Sequence, residues 1–330
     1  MPDVWTHILC GREVLGRVEE GFGKTARERI KLFNLGCQGP DLFFYYDFLP
    51  WSGDRRVFDL GNQVHHQRCG LFFRESLHYA RANPGAVIIV YLMGMICHWC
   101  LDRATHPYIN YISGVYRGAA ADSRKLINNH KRVEAAIDVL LGKRLLNLEV
   151  RKTPAHPEIE VGEKLPRDVL GLYRHVLPLV FPEAWADLAG THFLNKSYRD
   201  MLSALRLLHD PRGVKRSLVA AYDRLSGGGL NLRYYFYRPP EKNGEAYLND
   251  QKRPWCHPAD PGEVRHESFM ELFAVAVEEA ARLINLSLGF IRGEAGEAEI
   301  NQKIKDISYS TGRPVSDQSP LRCFDPLLED

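Results

Sequence analysis

The chain has 330 residues, 45% of them hydrophobic, enough to bury one large core and too apolar for a disordered chain. Forty-three lysines and arginines nearly balance 41 aspartates and glutamates, and the net +2 carries no basic tail, so charge alone points to no nucleic-acid partner. Seven cysteines make no small-domain disulfide framework, and the odd count leaves at least one thiol. With no leader-like pattern at Met1 to His7, a cytoplasmic protein is the expectation.

Helical periodicity opens the chain over residues 4–18, where His7 follows Trp5 and Thr6. A tight turn at Gly39-Pro40-Asp41 places Asp41 to cap a helix or reach a cation. The aromatic run 43–51 that follows suits either a ligand surface or core packing. Residues 61–82 form the next predicted helix, with His65 and His66 adjacent, so that one of them can point toward a given ligand.

The next helix, 86–112, is the most informative. Its apolar run, 86–97, is too short to span a bilayer and is broken by His98 and Asp102, which reads as a buried helix without a transmembrane segment. His98, Asp102 and His106 recur at steps of four, on one face, one turn apart. Buried polar groups without partners cost roughly 1–3 kcal/mol each, so three in so apolar a helix imply a compensating cation. Cys97 and Cys100 form a C-x-x-C pattern, but mid-helix and without a β-α-β context they read as packing. In the helix predicted over 123–141, His130 and Glu134 repeat the four-residue step. Alone they would match a common surface pair, whereas facing the first set they could enclose a metal cluster.

A polar connector with Pro154 and Pro157 leads to weaker helical patterns at 167–180 and 195–225. Residues 232–237 give the best strand signal, and 267–291 the last long helix. The expected division is a helical domain over 1–292 followed by a polar strap or tail over 293–330. The remaining histidines lack partners at ligand spacing, and His257 alone among them is worth weighing as a ligand.

The ordered set His7, Asp41, His65-His66, His98, Asp102, His106, His130 and Glu134 resembles the ligand series of the zinc-dependent phospholipase C family. The resemblance covers roughly residues 1–140. It implies an all-α fold, a multi-helix bundle like those of phospholipase C and the single-strand nucleases, around two to three zinc ions. Asp102 would bridge two ions. His106, His130 and Glu134 would hold one, and Asp41, His98 and one of His65 or His66 another. His7 would serve a third ion, with the chain's amino group as a further ligand. Asp41 would also help to deprotonate the attacking water. The implied activity is phosphodiester hydrolysis of a phospholipid or small phosphodiester, with no stable nucleic-acid partner. The alternatives are a single-strand-specific zinc nuclease and a non-catalytic protein in which metals only staple the helices.

Overall fold

The computed structural model describes residues 4–49, 53–115, 128–188, 190–225, 231–238 and 244–328. The architecture is all-α, with one two-stranded hairpin among the described residues. Helices α1 (Val4–Val14), α2 (Glu20–Glu28) and α3 (Ile30–Gly36) lead through a 3-10 segment, Gly39–Tyr45, to α4 (Arg56–His66), α5 (Cys69–Ala82) and α6 (Ala86–Ser113). Then come α7 (Asn129–Leu146), the single turn α8 (His156–Ile159), α9 (Arg167–Val180), α10 (Pro182–Leu188), α11 (His192–Leu208) and α12 (Val214–Leu225). A 3-10 turn, Leu232–Tyr235, precedes α13 (Gly244–Leu248), the strands β1 (Trp255–His257) and β2 (Asp260–Arg265), and helices α14 (Phe269–Arg292) and α15 (Glu297–Lys303).

Helix α6 is the axis of the molecule. It runs 28 residues, continuing through His98 and Asp102, and by length and composition could cross a membrane, unlike the shorter apolar run read from the sequence. Here it is sheathed by α1, α3, α7, α9 and α14, which bury most of its surface. Helix α3 approaches it so closely that a Cβ on Gly94 would lie 2.4 Å from the Phe33 carbonyl oxygen, and one on Gly36 would lie 2.2 Å from that of Tyr91. Glycine at both positions is what lets the two backbones touch.

Helix α1 is fixed by a cap supplied in trans. The buried carboxylate of Asp138 on α7 accepts from the Trp5 and Thr6 amides at 2.9 and 2.8 Å and from the Thr6 hydroxyl at 2.5 Å. Tyr237 donates to the same carboxylate at 2.7 Å. The first amides of a helix have no intrahelical acceptor, so a buried helix start needs such a partner. The result holds His7, one residue further on, in a set direction toward α6.

Several expectations needed revision. The pattern over 61–82 is two helices, broken where Arg68 takes φ 50° between α4 and α5; no glycine or proline marks the break. The exposed amides at the start of α5 are satisfied by Asp306, which accepts from Gly70 and Leu71. The strand expected at 232–237 is instead the 3-10 turn Leu232–Tyr235, because Asp223 accepts from the Leu232 and Arg233 amides and removes them from any ladder. The antiparallel hairpin lies further on, pairing Trp255 with Arg265 and Cys256 with Val264. The start of the helix expected from 123, the glycines at 227–229, Pro50 and Trp51 lie outside the described residues.

After α15, residues 304–328 run as a strap along α6 and α7. Its amides and carbonyls bond along α6 and α7: Trp99 donates to the Ile307 carbonyl, Asp325 to that of Tyr111, and Asn129 to that of Leu328. A disulfide joins Cys256 to Cys323 and fixes the strap to β1, while Cys10, Cys37, Cys69, Cys97 and Cys100 are free and buried. Burial pushes the Cys100 thiol up to about 12 and raises that of Cys97, as befits packed thiols rather than a redox pair.

The α3–α6 contact gives a direct test of this packing. Gly94→Ala should destabilise the protein by about 1–3 kcal/mol through overpacking. Gly21→Ala, on α2 where nothing stands near a new Cβ, should be neutral or stabilising by up to about 1 kcal/mol. Thermal or urea melts of both variants measure the difference.

Candidate metal centre

His98, Asp102 and His106 are buried on one face of α6, and Asp102 is fully buried, its side chain 0% exposed. Around it the fold gathers side chains from other elements. Helix α1 brings His7 Nε2 to 3.4 Å from Asp102 Oδ1, with the His7 ring stacked 4.1 Å from that of His98. His98 Nε2 stands 3.1 Å from Asp102 Oδ2 and 3.4 Å from Asp41 Oδ1. His65 Nε2, from the end of α4, lies 3.1 Å from the same Asp41 oxygen. The loop carrying Asp41 passes over α6 because Gly39, at φ +52°, has no Cβ; one there would lie 2.5 Å from the His98 ring.

A second group lies one turn along α6. His106 Nε2 is 3.8 Å from Glu134 Oε1, His130 Nε2 is 2.9 Å from the same oxygen, and His106 Nδ1 is 3.7 Å from Asp102 Oδ1. Asp41, His65, His98 and Asp102 thus form one set able to hold a metal ion, and His106, His130 and Glu134 another. His130 is the open edge, with a third of its side chain exposed.

The donor atoms fit cations better than they fit each other. Among the described residues, neither oxygen of Asp102 and neither ring nitrogen of His7 makes a well-aligned hydrogen bond. A buried carboxylate in that state costs several kcal/mol unless a cation compensates it. Two donors about 2.0–2.1 Å from one tetrahedral zinc stand roughly 3.3–3.4 Å apart. The separations of 3.1–3.4 Å among His7, Asp41, His65, His98 and Asp102 match that spacing. Imidazole with carboxylate is also the donor set that suits zinc.

The backbone sets which nitrogen each ring presents. His65 Nδ1 bonds the Gly61 carbonyl at 2.7 Å, and His98 Nδ1 that of Cys37 at 3.0 Å. With the Nδ1 proton held by a carbonyl, Nε2 keeps its lone pair for a ligand, as at metal-binding histidines generally. His106 Nδ1 bonds the Tyr309 carbonyl at 3.1 Å in the same way. Burial holds His7 and His106 well below the ordinary histidine value, so both rings stay neutral, as ligation requires. At His98 burial also opposes protonation, but Asp102 and Asp41 outweigh it and the value is raised.

Two of the candidate ligands lie outside both groups: His7, which stands beside Asp102, and His66, whose ring is exposed, 6.5 Å from that of His65. His257 is no ligand, since Nε2 meets the Thr311 carbonyl and Nδ1 accepts from the Ala259 amide. The chain's amino group lies outside the described residues. Of the aromatic run, Phe43 is core, packed on Tyr173 and Phe193, while Phe44 packs against His65.

Tyr309 is the residue that sequence reading missed. It is fully buried, its amide donates to the His65 carbonyl, its carbonyl accepts from His106 Nδ1, and its ring lies 4.7 Å from that of His65. Asp138 was missed as well.

Comparison with protein families matches residues 6–176, a little over half of the chain, to zinc dependent phospholipase C. The chain belongs to that family. No curated protein and no solved structure matches it. The family span contains both donor groups and stops well before Tyr309. Family membership and the two buried donor groups together support a zinc hydrolase.

Two outcomes follow from the geometry. His65→Ala should lower bound metal, whereas His66→Ala should leave stoichiometry unchanged; metal analysis of the two purified variants reads this directly. The second outcome concerns acid. His7 and His106 stay neutral in the folded protein at a pH where the unfolded chain, at about 6.5, takes up protons. Their contribution to stability is therefore present above that value and is lost as pH falls below it. His98, raised instead, contributes below that value and loses its contribution as pH rises through its folded value. Two rings shifted well down outweigh one shifted up, and proton competition for metal ligands acts in the same direction as the two. The melting temperature should fall between about pH 7 and pH 5, and a flat profile would count against neutral buried histidines.

Proposed function

We propose that the protein is a phosphodiester hydrolase of the phospholipase C type, working on the glycerol side of a phospholipid or a related head-group ester. The reading is carried by Asp102, a fully buried carboxylate with histidine nitrogens 3.1–3.4 Å away on both sides and, among the described residues, no backbone amide donating to it. A purely structural carboxylate in that position would be expected to meet donors, as Asp138 does.

In this reading Asp41, His65, His98 and Asp102 hold one ion, His106, His130 and Glu134 a second, and His7 belongs to a third position beside Asp102. Zinc, when bound, supplies Lewis acidity that makes water a nucleophile near neutral pH and offsets charge on the phosphate. The chain's own groups divide the remaining work. Asp102, without solvent access, can only hold charge. Asp41 keeps 8% of its side chain open and lies against both His65 and His98, so it is the carboxylate placed to take a proton from the attacking water. His130, with a third of its side chain exposed, is the most open of the candidate ligands, and in this reading a diester enters there.

The test is metal analysis of the purified protein with a substrate panel of phosphatidylcholine, a soluble chromogenic phosphodiester and single-stranded DNA. Two to three zinc ions per chain and cleavage of the first two substrates are expected, and preference for DNA would favour the nuclease alternative. Asp102→Ala and His130→Ala should each lower turnover by at least about a hundredfold, while His209→Ala, away from both groups, stays near wild type. Full metal content without turnover on any substrate would leave the metals a purely structural role. Chelation should lower the melting temperature, since the buried carboxylates lose their counter-charge.

A further inference from the structure

Helix α12 (Val214–Leu225) is built unlike the rest of the bundle. Asp223 is its one buried residue, and it anchors the helix by accepting from the Leu232 and Arg233 amides of the following 3-10 turn. Val214, Leu218, Tyr222 and Leu225 fall within one helical face and point away from that anchor, with Leu218 68% and Leu225 89% exposed. Isolated exposed apolar residues need no explanation, but a continuous one-sided stripe does.

The charges on the helix are sorted as well. Lys215 and Arg224 flank the stripe, the Lys215 ammonium also donating to the Leu207 and His209 carbonyls, while Arg216 lies on the opposite face; Arg212 stands just before the helix, and its single acid is the buried Asp223. An outward apolar stripe edged only by cations is the pattern of helices that lie in the boundary between head groups and acyl chains of an anionic membrane. Two copies pairing through the same stripe would bring cations against cations, which disfavours a dimer there.

We propose that α12 is an interfacial helix that seats the protein on an anionic phospholipid surface. Twelve residues give a helix about 18 Å long, set parallel to that surface with Leu218, Tyr222 and Leu225 inserted. The seat is joined to the metal centre. The turn tethered by Asp223 carries Tyr234, whose ring lies 4.6 Å from the guanidinium of Arg132, and Arg132 stands midway between His130 and Glu134 on α7. The choice of a phospholipid surface rests on the phospholipase reading, but binding is measured without turnover.

The experiment is co-sedimentation of the full chain with vesicles of phosphatidylcholine alone and of equal parts phosphatidylcholine and phosphatidylglycerol. The wild type should bind the mixed vesicles better than the neutral ones. Leu218→Asp with Leu225→Asp should weaken binding by roughly tenfold or more, and Arg224→Glu should weaken binding to mixed vesicles only. Because these side chains face outward, melting temperature and hydrolysis of the soluble chromogenic diester should stay unchanged in the same variants. Equal vesicle binding by wild type and double variant, or none by either, would overturn the proposal. So would light scattering that finds a wild-type dimer and a double-variant monomer. Vesicle binding by a protein that cleaves no phosphodiester would keep the helix and remove the catalytic reading. Cleavage of the soluble diester without vesicle binding would do the reverse.

Discussion

A carboxylate carried into the middle of an apolar helix imposes the terms on which the rest of this molecule is built. Asp102 lies inside the most hydrophobic helix of the chain, where burying it is costly unless positive charge is brought to it. Neutral imidazoles cannot supply that charge, but they can hold an ion that does. Histidines on α1, α4 and α6 aim their Nε2 atoms at one small region, and each belongs to an element fixed by a different device. Helix α1 is capped by Asp138, α4 ends beneath the strap, and α6 is clamped against α3 through paired glycines.

This arrangement explains why polar anchoring recurs just behind the donor groups. The ring orientations of His65, His98 and His106 depend on carbonyls of Gly61, Cys37 and Tyr309, which belong to three separate stretches of chain. A shift of any one would turn a lone pair away from its neighbours. The cation demanded by the carboxylates and the hydrogen bonds that aim the rings are thus complementary halves of one centre.

Much of this was legible in the chain itself, and the part that was not has a common physical origin. The steps of four in His98, Asp102 and His106 announce a shared helical face, and their apolar surroundings announce burial. The helical class follows from the same periodicity. What periodicity cannot reveal is a contact between residues far apart in sequence. Tyr309 meets His106 across 203 positions and Asp138 meets Trp5 across 133, and in each pair one partner is a backbone atom that its residue type does not announce. The break at Arg68 was hidden because a non-glycine residue takes a left-handed conformation there. The turn at Leu232–Tyr235 was misread because its aromatic side chains favour strands, while a buried aspartate had already claimed its amides.

The strap adds an order in time. All the candidate donors fall between His7 and Glu134, so a ribosome has released every one of them long before it reaches Tyr309. Until that tyrosine arrives, the His65 carbonyl and the His106 ring lack the backbone partners that hold them. A nascent chain therefore owns its donors early and aims them late. The centre is complete only once the strap has been made, and a chain cut short before it would carry the full donor sequence without the geometry.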